Sequence, residues 1–318
     1  MVRVHPGDYH APVQAILLAA GLGTRLQPLT DLRPKPIVPV ANRPLAAFAM
    51  EHLARSGVRT VVANTHPLPD VVESALKSAC PTGVELRFSR ESTLLGTGGG
   101  LRKARSLLDD SQAPVLVMNG DTLFAPELDR AYAEHQARGA VATMILRRTP
   151  SPERFGAIGI DREGWVRSLL GIPSDERVCS SLMFTGAHIL SPQAFTAMPQ
   201  SGCVIRTAYR GWVDRGARVL GLLDESPWAD LGTVPEYHRL NLELASGLFA
   251  WPGVEPTGGC ILHDSVRPSA NIRRSVVGAD VTIGEGVSVD RCVVWPGATV
   301  TQSATNAVIT PQHRIEIS

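Results

Sequence analysis

The sequence predicts an α/β domain built on an open, mostly parallel sheet, followed by a short tail that forms a parallel β-helix. Three observations carry this prediction. Apolar strands alternate with helical segments over roughly the first 140 residues, which is typical of such a sheet. A glycine-rich turn directly follows the first strand. From Gly258 onward, short apolar stretches recur every five or six residues and the helical spacing stops.

The elements of the first domain follow from apolar runs that are interrupted by glycine and proline. Strands are predicted at 14–20, 58–64, 84–89, 114–119, 141–147, 181–190 and 219–223, with a hairpin formed by 155–161 and 164–170. Helices are predicted at 45–56, 71–78, 98–108, 193–198 and 235–246. The last helix has Gly247 as its C-cap. Because parallel strands bind ligands at their carboxyl ends, we expect the functional residues there.

The tail repeats with a period of 17 residues, because 274–283 can be aligned with 291–300 at that offset. Apolar residues recur at Val266, Ile272, Val277, Ile283, Val289, Val294 and Val300. Such spacing resembles the hexapeptide-repeat left-handed β-helix, and a small β-sandwich is the alternative. The domains are therefore predicted at 1–250 and 251–318. Because so few coils leave an unpaired end, the tail is expected to form a homo-oligomer.

Composition excludes several classes of protein. The 31 basic and 30 acidic residues almost cancel, which argues against a nucleic-acid partner. The five cysteines are dispersed without a CxxC pair, so a disulfide framework or a cysteine zinc site is not expected. No apolar run suits a signal peptide or a membrane span, and a cytoplasmic location is expected.

A glycine-rich loop covers the end of the first predicted strand and reads LAAGLGTRL over 18–26. Small residues allow backbone N–H groups to approach a phosphate or a base closely. The loop is not a dinucleotide fingerprint, because Leu26 occupies the position of the last glycine, and it lacks the GK[ST] of a Walker loop.

Lys35 is one of only three lysines in the chain and lies between Pro34 and Pro36. Two prolines stiffen the backbone and fix the direction in which the ammonium group points. A compact ammonium suits a shared phosphate oxygen better than a planar guanidinium does.

Together, the loop and the proline-flanked lysine resemble the sugar-1-phosphate nucleotidyltransferases, also called NDP-sugar pyrophosphorylases. The resemblance implies a Rossmann-like nucleotidyltransferase domain. It also implies that the lysine, here Lys35, bridges the nucleotide α-phosphate and the sugar phosphate. The implied nucleotide-binding residues of the loop are Leu18, Ala19, Ala20, Gly21, Gly23, Thr24 and Arg25.

Further motifs extend the resemblance on the nucleotide side. The segment LGTGGG over 95–100 resembles the family segment that packs on the base and ribose, which implies Gly96 and Thr97 as contacts. Glu91 precedes that segment, and a carboxylate there would accept the N–H donors of guanine, which favours GTP; an exposed Glu91 is the alternative. The nucleotide contacts also include Asn119 and Gly120.

Two aspartates are expected to bind Mg²⁺. Asp121 follows Asn119-Gly120 at the end of a strand, where the family places its first metal carboxylate. Asp230 lies in WADLGT over 228–233, which matches the family's second metal motif. Hard oxygen ligands of this kind, together with phosphate oxygens and water, suit Mg²⁺. The predicted catalytic residues are Arg25, Lys35 and Asp121.

The sugar side departs from the family pattern. Phe155, Gly156 and Thr185 correspond to residues that the family places near the sugar. The family usually has Glu-Lys-Pro where this chain has Gly171-Ile172-Pro173. Arg206 is a candidate replacement for the missing lysine, with a solvated helix face as the alternative.

The implied reaction joins an NTP and a sugar 1-phosphate to give an NDP-sugar and pyrophosphate. GTP and mannose 1-phosphate are the predicted substrates. The alternatives are a uridylyltransferase acting on an amino-sugar or muramic-type 1-phosphate, a non-catalytic regulatory paralogue that binds an NDP-sugar, and a bifunctional enzyme with acyltransferase activity in the tail.

Overall fold

The structure, a computed structural model, describes residues 14–109, 112–267 and 271–317. In these residues the helices are α1 Leu29–Leu32, α2 Leu45–Arg55, α3 Pro69–Ser78, α4 Gly96–Ala104, α5 Leu128–Ala137, α6 Arg210–Asp214 and α7 Val234–Ser246. The strands are β1 Gln14–Leu18, β2 Pro39–Val40, β3 Arg43–Pro44, β4 Thr60–Thr65, β5 Glu85–Arg90, β6 Val115–Asn119, β7 Thr122–Phe124, β8 Ala142–Arg147, β9 Ile158–Ile160, β10 Val166–Leu169, β11 Ser180–Leu190, β12 Val219–Leu223, β13 Trp228–Asp230, β14 Ile261–Leu262, β15 Ile272–Arg273, β16 Val276–Val277, β17 Thr282–Ile283, β18 Val289–Val294, β19 Thr299–Val300, β20 Ala304–Ile309 and β21 Arg314–Glu316.

The chain divides into two compact units. The first unit comprises Met1–Leu22 and Ala46–Trp228, and the second comprises Gly23–Leu45 and Ala229–Ser318. The segment 23–45, which carries Lys35, is thus grouped with the C-terminal part of the chain. The domain boundary near residue 250 stays a prediction, and the two units divide the chain at other positions.

A nine-stranded mixed sheet forms the centre of the first unit. Its main strand order is β10-β9-β11-β6-β1-β4-β5, and β8 pairs with both β11 and β12. The strands β6, β1, β4 and β5 run parallel, whereas β11 is antiparallel to β6, β8 and β9. The predicted Rossmann-like α/β sheet is confirmed, with an antiparallel strand inserted beside its parallel part. The strands β4 and β6 lie on opposite sides of β1 in the sheet, which creates a switch point beside the end of β1.

The parallel strands are buried on both faces, which explains their uninterrupted apolar sequences. Ile16, Val62 and Val117 lie on neighbouring strands and are fully buried in one cluster. Leu101 from α4 packs into the same cluster. The core of the first unit therefore lies directly beneath the carboxyl ends of its central strands and holds them in place.

The helix predicted at 193–198 is present as a 3₁₀ helix over Pro192–Ala197. The helix α5 was not predicted, although its buried residues Leu128, Ala131, Tyr132 and His135 have helical spacing. The weak apolar content of α5 hid this signal, because a polar tyrosine and histidine fill half of its buried face. The predicted helix at 235–246 is confirmed as α7, with Gly247 at a φ of 77° as its C-cap.

In the second unit, the C-terminal region is rich in short strands that pair in parallel. Ile272 pairs with Val289, Val276 with Val293 and Thr282 with Thr299, each at an offset of 17 residues. The strands β18 and β20 are also parallel, and β21 closes the region in antiparallel orientation. Val277, Val289, Val294 and Val300 are buried in one cluster, as the apolar repeat predicts.

None of the described helices is both long enough and apolar enough to cross a bilayer.

Candidate active site

The candidate site of the first unit begins where β1 ends. Leu18 is in parallel register with Asn64 of β4 on one side and with Asn119 of β6 on the other. The Gly120 amide donates a hydrogen bond of 2.8 Å to the Leu18 carbonyl oxygen. The structure thus brings together the glycine-loop start and the Asn119-Gly120 pair at the switch point, where ligands of such sheets bind.

Asn64 and Glu91 form a buried network under the loop. The Ala19 amide donates to Asn64 Oδ1 at 2.7 Å, and Asn64 Nδ2 donates to Glu91 Oε1 at 2.8 Å. Glu91 Oε2 accepts a 2.8 Å hydrogen bond from the Leu95 amide. Because both carboxylate oxygens have internal donors, the network ties the glycine loop to the start of α4.

Glu91 is 5% exposed, so the alternative of an exposed Glu91 is wrong, and its contact with guanine stays a prediction. Asn64 is 3% exposed and was missed by the sequence reasoning. An amide that ends an otherwise apolar strand was the signal that would have found it.

The glycines of α4 permit close approach of other groups. A Cβ at Gly100 would lie 2.7 Å from Asn64 Nδ2 and 2.9 Å from Glu91 Oε1. A Cβ at Gly99 would lie 2.4 Å from the Gln200 carbonyl oxygen. The run of glycines is therefore a packing requirement of this helix.

The two predicted base and ribose contacts lie at the start of the same helix. Thr97 Oγ1 accepts a 2.8 Å hydrogen bond from the Val204 amide, and Gly96 has a φ of 70°. Both residues thereby fix the path of the chain around α4, and their predicted contact with a nucleotide stays a prediction.

The candidate site of the second unit contains three charged groups. Lys35 Nζ lies 3.9 Å from Asp230 Oδ1, and Arg25 Nη2 lies 3.9 Å from Asp230 Oδ2. The Lys35 side chain is 6% exposed, whereas that of Arg25 is 69% exposed. The structure thus brings together two cations and a carboxylate that the sequence separates by about 200 residues.

Local backbone geometry holds these groups. Lys35 begins a 3₁₀ turn, and the Ile37 amide donates to the Pro34 carbonyl oxygen at 2.9 Å. Gly23 has a φ of 64°, and a Cβ there would lie 2.8 Å from Lys35 Cβ. A Cβ at Gly232 would lie 2.8 Å from Arg25 Nη1. Side chains at these two glycines would displace the cations.

A buried cation requires a nearby opposite charge, because desolvation of an unpaired ammonium is costly. Asp230 supplies that charge to Lys35. With Arg25 included, the cluster of three side chains carries a formal charge of +1. Such a cluster suits an anionic ligand such as a phosphate group, which a cation can neutralise.

The family model for nucleotidyl transferases matches residues 14–247, which include every residue of both candidate sites. The chain belongs to the nucleotidyl transferase family. The resemblance to sugar-1-phosphate nucleotidyltransferases is therefore confirmed.

Two relatives and one solved structure illustrate the similarity. Mannose-1-phosphate guanylyltransferase of Mycobacterium tuberculosis is 30% identical, over 91% of this chain and 81% of that protein. UTP–glucose-1-phosphate uridylyltransferase of Synechocystis is 25% identical, over 89% of this chain and 83% of that protein. The UDP-glucose pyrophosphorylase of Acinetobacter baumanii has a TM-score of 0.63 at 18% identity, over 76% of this chain and 95% of that chain, and so shares the fold.

The predicted sugar-side residues of this nucleotidyl transferase lie in the first unit. The rings of Phe155 and Trp228 meet edge to face, with centroids 5.7 Å apart, and Trp228 Nε1 donates to the Thr185 carbonyl oxygen at 3.1 Å. The Thr185 hydroxyl donates to the Ile145 carbonyl oxygen at 2.7 Å, which orients it toward the sheet. Gly156 has a φ of 81°, and Arg206 lies exposed in a π-helical segment.

Proposed function

We propose that the chain transfers a guanylyl group from GTP to mannose 1-phosphate, which gives GDP-mannose and pyrophosphate. The observation that supports the transfer reaction is the environment of Lys35, which is 5% exposed and faces a carboxylate beside a glycine-rich loop. The similarity to the Mycobacterium tuberculosis guanylyltransferase supports the choice of substrates.

In the proposed reaction, an oxygen of the sugar phosphate attacks the α-phosphorus of the nucleotide. The bond from that phosphorus to the bridging oxygen breaks, and pyrophosphate leaves with the electron pair. No general base is needed, because the sugar phosphate is already ionised. The protein contributes alignment of the reactants and compensation of their negative charge. Lys35 and Arg25 supply that compensation.

Mg²⁺ is the proposed cofactor, held by Asp121 and Asp230. Bound Mg²⁺ would neutralise phosphate charge. The described residues contain no group of three or more histidine, cysteine, aspartate or glutamate side chains that could hold a metal ion. One or two carboxylates nevertheless fit Mg²⁺, because this ion commonly completes its coordination with substrate phosphates and water.

The first unit is proposed to bind the base, the ribose and the sugar. Leu18, Ala19, Asn119 and Gly120 lie at the switch point, and the Asn64–Glu91 network sets the spacing between the loop and α4. The remaining proposed nucleotide contacts are Ala20, Gly21, Gly23, Thr24, Glu91, Gly96 and Thr97. The proposed sugar contacts are Phe155, Gly156, Thr185 and Arg206.

Two alternatives remain distinguishable from this proposal. The 25% identity to the Synechocystis enzyme supports a uridylyltransferase as the alternative. A regulatory paralogue is disfavoured, because the chain retains Lys35, Asp121 and Asp230.

The decisive experiment measures pyrophosphate release from each of four NTPs with a panel of sugar 1-phosphates. We expect the highest kcat/KM for GTP with mannose 1-phosphate. Higher values with UTP would establish the uridylyltransferase instead. No pyrophosphate release with any pair would contradict the proposed transferase activity.

The C-terminal region is proposed to be a left-handed β-helix that mediates homo-oligomerisation. Parallel pairing at a 17-residue offset supports short coils, since each coil would stack on the preceding one. Light scattering of the full chain tests the assembly, and a monomer at all protein concentrations would contradict it. The expected cytoplasmic location stays a prediction.

A further inference from the structure

A hydrogen-bonded connection runs through the second unit from its C-terminal strands to the segment that carries Lys35. Trp295 Nε1 donates to the Tyr237 hydroxyl oxygen at 2.9 Å. The Tyr237 hydroxyl in turn donates to the Pro39 carbonyl oxygen at 2.5 Å. Trp295 is 2% exposed and Tyr237 is fully buried, so water does not compete for these groups.

A second connection involves the hairpin turn between β2 and β3. Ala41 and Asn42 have φ values of 47° and 64°, a left-handed conformation that is unfavourable for alanine. Asn241 Oδ1 accepts a 2.9 Å hydrogen bond from the Ala41 amide, and Asn42 Nδ2 donates to the Val277 carbonyl oxygen at 2.8 Å. The turn is therefore held by α7 on one side and by the tail on the other.

The same helix organises both connections. Asn241 Nδ2 donates to the Tyr237 carbonyl oxygen at 2.9 Å, one turn earlier in α7. His238 Nε2 is 2.8 Å from the Arg291 carbonyl oxygen, which joins α7 to the strand β18. On the other side of Lys35, the Arg33 guanidinium lies 5.6 Å from the centroid of the Trp295 ring. Trp295 thus contacts Arg33 on one side of Lys35 and is connected to Pro39 on the other side through Tyr237.

The apolar repeat of the tail does not require a tryptophan at this position. Val277 pairs with Val294, so Gly278 occupies the place in the preceding coil that Trp295 occupies in the next. A Cβ at Gly278 would lie 2.7 Å from Pro296 Cδ. Trp295 therefore departs from the repeat, and its indole N–H is used for Tyr237.

We propose that Trp295, Tyr237 and Asn241 are positioning residues that fix the backbone on either side of Lys35. The C-terminal region thereby takes part in the transfer reaction, independently of any role in assembly. This inference rests on the proposed function, in which Lys35 contacts phosphate. Tyr237 acts through the segment that carries Lys35 and does not touch substrate.

The kinetic test uses Tyr237→Phe, which removes the hydroxyl and keeps the buried ring, and Trp295→Phe, which removes the indole N–H and leaves a smaller buried ring. We expect kcat to fall roughly 5- to 30-fold with less than about a 3-fold change in KM, since a displaced Lys35 loses contacts made in the transition state. Val294→Ala is the matched control, because it removes buried apolar atoms from the same tail without removing a hydrogen bond. Its kcat should stay within about 2-fold of the parent value.

A double-mutant cycle separates positioning from general destabilisation. If Tyr237 acts through Lys35, Tyr237→Phe should change kcat by less than about 2-fold in a Lys35→Ala background. A full additional loss in that background would overturn the proposal, as would unchanged kcat in both single variants.

Hydrogen exchange provides a readout that does not depend on activity. Amides of residues 37–45 should exchange at least about 10-fold faster in Trp295→Phe than in the parent chain, while the amides of β1 and β6 are unaffected. Unchanged exchange in 37–45 would overturn the connection even if the chain proves active. Conversely, faster exchange in a chain with no transferase activity would contradict the proposed function but would support the structural connection.

Discussion

The two units hold their candidate sites by different physical means. In the first unit, the residues at the ends of β1, β4 and β5 are joined by hydrogen bonds between amides and one buried carboxylate. In the second unit, the charged groups of Arg25 and Lys35 each lie 3.9 Å from a carboxylate oxygen of Asp230. The first arrangement defines a shape, and the second concentrates charge.

This difference separates two tasks of a transferase. A rigid, hydrogen-bonded cradle discriminates between ligands, because each mismatch leaves a buried polar group without its partner. A cluster of cations lowers the barrier, because it stabilises charge that develops during transfer. We therefore expect substitutions in the first unit to change KM for the nucleotide, and substitutions of the charged cluster to change kcat.

The largest effect is expected for Lys35→Ala. Loss of the buried cation that is proposed to contact the reacting phosphates should lower turnover at least about 100-fold, as removal of a single preorganised donor typically does. Circular dichroism should show a folded chain. Lys77→Ala, which removes an exposed lysine of α3 in the first unit, serves as the control and should retain full turnover. Near-parental rates in Lys35→Ala would remove the basis of the proposed mechanism.

A somewhat smaller effect is expected for Asp230→Asn. The amide keeps the shape of the side chain but removes the charge that faces Lys35 and Arg25, so kcat should fall about 30-fold. If Asp230 also binds Mg²⁺, the Mg²⁺ concentration for half-maximal rate should rise in a titration. Asp31→Asn provides a matched change in the same unit, and an equal response of both variants would argue against a specific role of Asp230.

Gly100→Ala should disrupt the Asn64–Glu91 network of the first unit without changing the charged cluster. The added methyl would lie within 3 Å of both Asn64 and Glu91, so their hydrogen bond must lengthen. We expect KM for the nucleotide to rise about 10-fold with kcat nearly unchanged.

Gly211→Ala is the control, since its methyl would meet only the flexible end of Arg215, at 3.1 Å. A fall in kcat at constant KM in Gly100→Ala would mean that the two tasks are not separated in this way.

The smallest effect concerns acid stability of the first unit. Burial lowers the pKa of His135 to about 4 and that of His188 to about 3. Both side chains are neutral in the folded chain and titrate near 6.5 when unfolded. Their contribution to stability is therefore complete above pH 6.5 and is lost as the pH falls toward 4. Between pH 7 and pH 6 the loss should be about 0.7 kcal/mol for each histidine.

Urea unfolding at pH 7, 6 and 5 measures this loss. The midpoint should fall less steeply with pH in His135→Gln, because Gln does not titrate. His313→Gln, at an exposed position of the second unit, should leave the slope unchanged. An identical slope in His135→Gln would contradict the assignment of the acid sensitivity to this buried histidine.

Local sequence determined much of the fold. Apolar runs broken by glycine predicted the strands of the sheet, because a strand buried on both faces must be apolar along its whole length. The same signal failed at α5, where Tyr132 and His135 fill buried positions.

For the candidate site, the sequence by itself determined the residue types. A lysine between two prolines, a glycine-rich loop and two aspartate motifs are local patterns, and each has a chemical reason that does not depend on the rest of the chain. The tertiary structure decided which of them meet. The approach of Asp230 to Lys35, the pairing of Asn64 with Glu91, and the contact of Trp295 with Tyr237 join residues that lie far apart in sequence. Such contacts depend on how the elements pack, and no local pattern encodes the distance between them.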